Sequence, residues 1–301
     1  MAIMSIMLHN FIHLDKFGFA RENEMEYHLS RTQVFFDHII NANSILSVMG
    51  DIISFVGWFG VPVFVFFSGY GLATKYGDKF ASNFDKKDYL KHSYLKLLLL
   101  ILPAAIFFIL FRAAIGDWQR IVEILFSFTF LNSLFSGIII KLHYAAPPFW
   151  YFSLTFQLYI IWLLLRNLSN RRLVIVGGAF LLFQMIFNPE YFGQKPISYM
   201  HYNFIAWMPL FVAGILTSKV KNDETLESNI NVYSVLTMIV SIVAIFIINY
   251  NFYSWTLMPF VSVLFFYTLG RLLYSIKSIR KVGVWIGSIS SYIFVAHPIA
   301  Q

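Results

Sequence analysis

The amino-acid sequence predicts an all-α fold: a polytopic transmembrane helical bundle of nine to ten membrane segments. Three observations predict it. Of 301 residues, 58% are hydrophobic and only 12% are charged, about half the charged fraction of a soluble domain, and mean hydropathy is +0.68. Stretches such as residues 97–114 and 235–248 are apolar on every side, whereas a transmembrane β-strand alternates apolar and polar every second residue. The 22 Lys and Arg and 15 Asp and Glu gather mostly in short runs between such stretches. A water-soluble enzyme and a disordered chain both lack the polar surface they require, and with no cysteine there is no disulfide scaffold.

A helix needs about 20 apolar residues to cross a hydrocarbon core of roughly 30 Å. At that grain the apolar segments fall at residues 1–14, 52–74, 94–114, 121–140, 148–165, 173–187, 203–218, 232–249, 255–276 and 283–300. The first is short and starts without a basic residue, so it reads as a helix joined partway. The last ends without a polar tail, and both termini are expected to be truncated. Segment 121–140 holds Glu123, Asn132, three Ser and a Gly, and is expected to enter and leave by one face. Residues 15–51 are polar, and read as a connection over the outer mouth. The remaining loops are too short for a soluble domain, so residues 1–301 are expected to form one integral membrane domain.

Charge then orients the chain, because cytoplasmic loops carry the excess of Lys and Arg. If all ten segments crossed, the dense cluster from Lys75 to Lys91 would sit on the positive-poor side. With segment 121–140 re-entrant, that cluster joins Arg166, Arg171, Arg172, Lys219, Lys221, Lys277, Arg280 and Lys281 inside. Nine spans with a cytoplasmic N-terminus are therefore expected. The same asymmetry accounts for the formal charge of +7 without nucleic acid as a partner.

Ionisable groups inside spans are costly and are functional candidates by default. His9 lies in the first segment, with His13 one turn on; it reads either as a titrating group or as a histidine bonded to a backbone carbonyl. A metal pair is not supported, since no third ligand is evident. The second segment ends in the small polar turn Ser68-Gly69-Tyr70-Gly71, followed by a basic collar of Lys75, Lys79, Lys86, Lys87, Lys91, His92 and Lys96. The turn reads as helix packing or as room for a ligand, and the collar as an anchor to anionic lipid or a seat for phosphates. Gln157 and Tyr159 lie in an apolar run, where an interhelical hydrogen bond is the plain alternative. His297 is a further buried candidate.

Together these segments resemble membrane-bound acyltransferase family 3, integral membrane enzymes that O-acylate surface glycans. The resemblance spans the chain. It rests on Ala2-Ile-Met-Ser-Ile-Met-Leu-His9, on Val61-Pro-Val-Phe-Val-Phe-Phe-Ser-Gly-Tyr-Gly-Leu72, on Tyr94-Leu-Lys96-Leu and on Trp150 to Tyr159. It continues in Trp207-Met-Pro-Leu-Phe-Val-Ala-Gly214 and in Ile289-Ser-Ser-Tyr-Ile-Phe-Val-Ala-His297-Pro298. The chain departs from the family at Gln157, where many members have glutamate, and at Lys91 to Lys96, where arginines are usual.

The resemblance implies transfer of a small acyl group, expected to be acetyl, from cytoplasmic acyl-CoA to a hydroxyl of an extracytoplasmic glycan or exopolysaccharide. It implies a bacterial-type inner (plasma) membrane, membrane lipid as surroundings and no metal. By this reading His9 is the base or a transient acyl carrier, and Gln157 and Tyr159 donate hydrogen bonds. Lys91 and Lys96 hold CoA phosphates, while Ser68 and Gly69 shape the path of the thioester. A transporter or flippase, with buried His and Gln as a relay, is the alternative from another class, and a non-catalytic scaffold is a third.

Overall fold

A computed structural model describes residues 2–14, 26–77, 84–135, 149–220 and 232–296. Lys79, Lys141, Lys221, His297 and Pro298 lie outside the described residues, as does the side chain of His13. The described residues form helices and no strand: α1 (Ala2–Leu14), α2 (Leu29–Ile40), α3 (Ile45–Val56), a 3₁₀ turn (Gly57–Phe59), α4 (Gly60–Tyr76), α5 (Lys86–Ala114), α6 (Trp118–Ser127), α7 (Phe149–Leu165) and α8 (Asn170–Ile186). There follow α9 (Pro189–Phe192), α10 (Gln194–Tyr202), α11 (Phe204–Lys219), α12 (Val232–Ile248), α13 (Phe252–Trp255), α14 (Met258–Ser275), α15 (Lys277–Ser288) and α16 (Ser290–Ala296).

Three helical stretches among these are long and apolar enough to cross a membrane: Ile45–Tyr76, Lys86–Ala114 and Met258–Ser275. The pair α10 and α11, bent by 49°, makes a fourth if the two act as one span, and α7 and α12 are shorter apolar helices. Leu99, Leu110, Ile175, Leu182 and Val240 present well over half their surface, as side chains that face lipid do. Of segment 121–140, residues 121–127 belong to the ten-residue helix α6, about 15 Å long and half the thickness of a hydrocarbon core, and residues 136–140 lie outside the described residues. The chain then turns at Phe130, whose φ is 55°.

Residues 45–51 are not loop, contrary to the reading of 15–51 as a polar connection. Ser44 caps α3 by accepting from the Ser47 amide at 3.1 Å, and the helix runs straight on through the 3₁₀ turn into α4. The buried Asp51 masks this continuity in the sequence; its carboxylate meets His38 Nδ1 at 3.1 Å. Residues 29–40 are likewise helical. Phe35 of α2 packs on Phe55 of α3 and Phe246 of α12, with ring centroids 4.5 and 5.2 Å apart, so α2 lies across the bundle as an amphipathic cover.

Small residues set the spacing of the central helices, as close backbone approach in a membrane requires. A side chain at Gly69 of α4 would run into the Phe211 carbonyl of α11, and one at Gly214 of α11 into the Phe66 carbonyl of α4. The two helices therefore meet backbone to backbone. Trp207 and Phe211 from α11 and Trp162 from α7 fill the adjoining core almost without exposure. Gly57 and Gly60 do the same for α1: a side chain at Gly57 would strike Cβ of His9, and one at Gly60 the carbonyl of Ala2 at 2.5 Å. The run 283–300, expected as one segment, breaks at Ile289 into α15 and α16.

Candidate active site

One face of the α3–α4 rod organises the candidate residues. Gly57, Gly60, Phe64, Phe67, Ser68, Gly71 and Lys75 follow one another at steps of three, four, three, one, three and four residues, a spacing that keeps them on one side of a helix. That face meets His9 at one end and the basic collar at the other.

At the first end His9 is 5% exposed, and its Nδ1 lies 2.6 Å from the carbonyl oxygen of Ser54. A carbonyl only accepts, so Nδ1 carries the proton. A neutral imidazole so held has its lone pair on Nε2, the arrangement a general base needs. Ser5, one turn earlier, donates to the Gly57 carbonyl at 3.0 Å and pins α1 in register. The carbonyl bond expected as the plain alternative for His9 is thus present, and it fixes the tautomer rather than excluding chemistry at the second nitrogen.

At the other end α4, α5 and α7 enclose a cavity of about 840 Å³. Ser68, Lys96 and Tyr159 all line it. So do Lys75, His92, Tyr76 and Tyr89, to which the sequence reading gave no individual role. Lys91 is exposed but is not among the lining residues, and Gly69 faces α11. The charges are mixed, since Asp85 and Asp88 also line the cavity. Asp85 is committed as the N-cap of α5, accepting from the amides of Lys87 and Asp88 at 2.8 and 3.2 Å. Asp88 sits 3.4 Å from His92. Lys75 and Lys96 remain as the cations nearest the space, with Lys75 Nζ 4.9 Å above the Tyr76 ring.

The walls are aromatic. Tyr89 packs against Tyr76, Phe84 and Tyr159 with centroids 5.5, 5.4 and 6.4 Å away. Tyr89 is 6% exposed, and its hydroxyl makes no hydrogen bond of good geometry among the described residues, with Ser93 the polar side chain beside it. A buried hydroxyl without a partner costs roughly 1–3 kcal/mol, which a polar ligand in the cavity would offset. Ser68 donates back to the Phe64 carbonyl at 2.8 Å, leaving its oxygen as an acceptor. Cations, a buried phenol and planar aromatic faces are groups that can hold phosphate and stack on a planar ring.

Gln157 lies elsewhere. Residues 157 and 159 are 200° apart on a helix, so the amide turns away from the cavity that Tyr159 faces. Gln157 Nε2 donates to Ser133 Oγ at 2.7 Å and to Asn203 Oδ1 at 3.1 Å, while its Oε1 accepts from the Phe204 amide at 3.1 Å. Asn203 donates on to the carbonyls of Ser133 and Tyr199 at 3.1 and 2.9 Å. This buried network ties α7 and the turn after α6 to the bend between α10 and α11. Among the described residues no group of three potential metal ligands comes together.

The described residues thus bring together apolar helices of membrane length, a buried histidine and an aromatic-walled cavity lined by charged side chains. The comparison with protein families makes the class definite. A family profile described as an acyltransferase domain matches residues 1–301, and the chain belongs to that family, acyltransferase family 3. Its members are membrane proteins. No curated protein matches the chain, and no solved structure does.

Proposed function

We propose that this acyltransferase moves a short acyl group, acetyl in the simplest case, from acyl-CoA on the cytoplasmic side to a hydroxyl of an extracytoplasmic glycan, across a bundle of nine spans in a bacterial-type inner membrane. The observation that carries the reading is the aromatic-walled cavity, with Lys75 and Lys96 in its lining, on the same face of α4 that meets His9. Lys75 and Lys96 take the CoA phosphates, with Lys91 adding to the field from outside. Tyr89 and Tyr159 offer hydroxyls to the polar arm, and Ser68 accepts from it. Gly57 and Ser68 are eleven residues apart, about 16 Å along a helix, a reach suited to an extended pantetheine arm.

In the transfer step the acceptor oxygen attacks the thioester carbonyl, and His9 Nε2 takes the hydroxyl proton. The tetrahedral oxyanion collapses, the carbon–sulfur bond breaks, and the proton passes to the departing thiolate. Alternatively His9 holds the acyl group transiently before the alcohol arrives. Gln157 acts by holding the bend before α11 in place. The test is mass spectrometry of base-labile acyl esters on surface glycan from cells carrying the gene, a deletion, or His9→Ala at normal protein level. Esters present only with the intact gene support the proposal; esters unchanged in the deletion reject it.

A further inference from the structure

A second cavity, of about 450 Å³, lies between α1, α4, α14 and α15, and neither the proposed phosphate site nor His9 accounts for it. We propose that it is an acyl-chain site, and that the donor range extends to chains well beyond acetyl. The inference rests on the acyl-CoA reading above.

Its position carries the argument. Along the organising face of α4, Gly57 and Gly60 meet α1 near His9; Val63, Phe64 and Phe67 line the second cavity; Phe67, Ser68, Gly71 and Lys75 line the basic one. The second cavity thus lies between the phosphate end and the histidine, beside the path that the pantetheine arm would take. Phe67 is a wall of both spaces and is 44% exposed, so the two are neighbours across one aromatic ring.

Its chemistry is that of a hydrocarbon site. Ile3, Val63, Phe64, Phe67 and Phe266 supply an apolar lining, and Arg271 is its one charged residue among those described. A methyl group fills roughly the 30 Å³ share of one water. Acetyl would leave nearly all of 450 Å³ empty, whereas a chain of several methylenes would bury its surface there. Two of the lining residues are Gly270 and Gly287, and a Cβ added at either meets no atom within 4 Å. A larger side chain can therefore start into the cavity from either position without an immediate clash at its first carbon.

The experiment compares wild type with Gly270→Leu in membranes supplied with acetyl-, butyryl-, hexanoyl- or octanoyl-CoA, and follows acyl transfer to glycan. In parallel, octanoyl-CoA with a diazirine at the chain end is photolysed and the labelled peptides are identified by mass spectrometry. We expect wild type to transfer the longer chains, and Gly270→Leu to lower octanoyl transfer relative to acetyl by roughly tenfold or more. The photolabel should fall on α4 or α14 around Phe64, Phe67 and Phe266, and be lost in Gly270→Leu. Transfer confined to acetyl, equal loss for all donors, or label placed elsewhere would overturn the proposal. Photolabel in the cavity with no transfer from any donor would leave the chain site standing and remove the transfer reading instead.

Discussion

His9 shows how much one side chain can state about its own chemistry. Its place in an apolar helix marks it in the sequence, but the choice between inert and reactive depends on which nitrogen is tied. Ser54, 45 positions away, supplies that information, and no spacing rule within α1 contains it. The cavity residues divide the same way. Lys75, His92 and Lys96 were legible as parts of one basic run, whereas Tyr89 becomes a site residue only because α4, α5 and α7 together line the cavity. Lys96→Ala is expected to raise KM for acyl-CoA about tenfold, equivalent to about 1.4 kcal/mol, with kcat little changed, since a phosphate contact holds substrate and transition state alike. Lys91→Ala, outside the cavity, is expected to change KM by less than half as much on the free-energy scale. Steady-state kinetics in detergent or nanodiscs check both. Gln157 and Tyr159, two residues apart on a helix, point to different sides, and the amide meets Ser133 and Asn203 while Tyr159 lines the cavity.

At the scale of the helix, α4 carries two surfaces with different tasks. One, through Gly69, lies backbone to backbone against α11; the other holds the site. Gly69→Ala is expected to destabilise the bundle by about 1–3 kcal/mol, because the added methyl meets a carbonyl that can move only with its helix. Gly71→Ala, two residues on, has nothing within 4 Å of the added carbon. It is expected to stabilise by about 0.5–1 kcal/mol through the lower entropy of the unfolded chain. Thermal unfolding in detergent separates the two; equal shifts would mean that the α4–α11 contact is not as close as described. Helix positions were largely legible, because an apolar run of membrane length has few alternatives. Residues 29–40 and 45–51 were not, since an amphipathic cover helix and a buried Asp51–His38 pair both read as polar loop until the partner surface is known.

For the whole molecule, the alignment of phosphate cavity, apolar cavity and histidine along one face of α4 gives transfer a direction. On the proposed reading the donor enters beside Lys75 and Lys96, and the acceptor meets the acyl group near His9. Loop charges orient this path with the lysines inside, which requires the loop at Arg172 to be cytoplasmic as well. A reporter fused after Arg172 is expected to be active only in its cytoplasmic form; an external signal would reverse the order of the later helices. The most direct measurement of the central claim uses sealed membrane vesicles of known orientation, with radiolabelled acyl-CoA confined to the cytoplasmic face and glycan to the other. The account predicts label on the glycan with wild type and at least a hundredfold less with His9→Ala, the scale of losing a general base. Label transferred equally well by His9→Ala, or only when donor and glycan share a face, would contradict it.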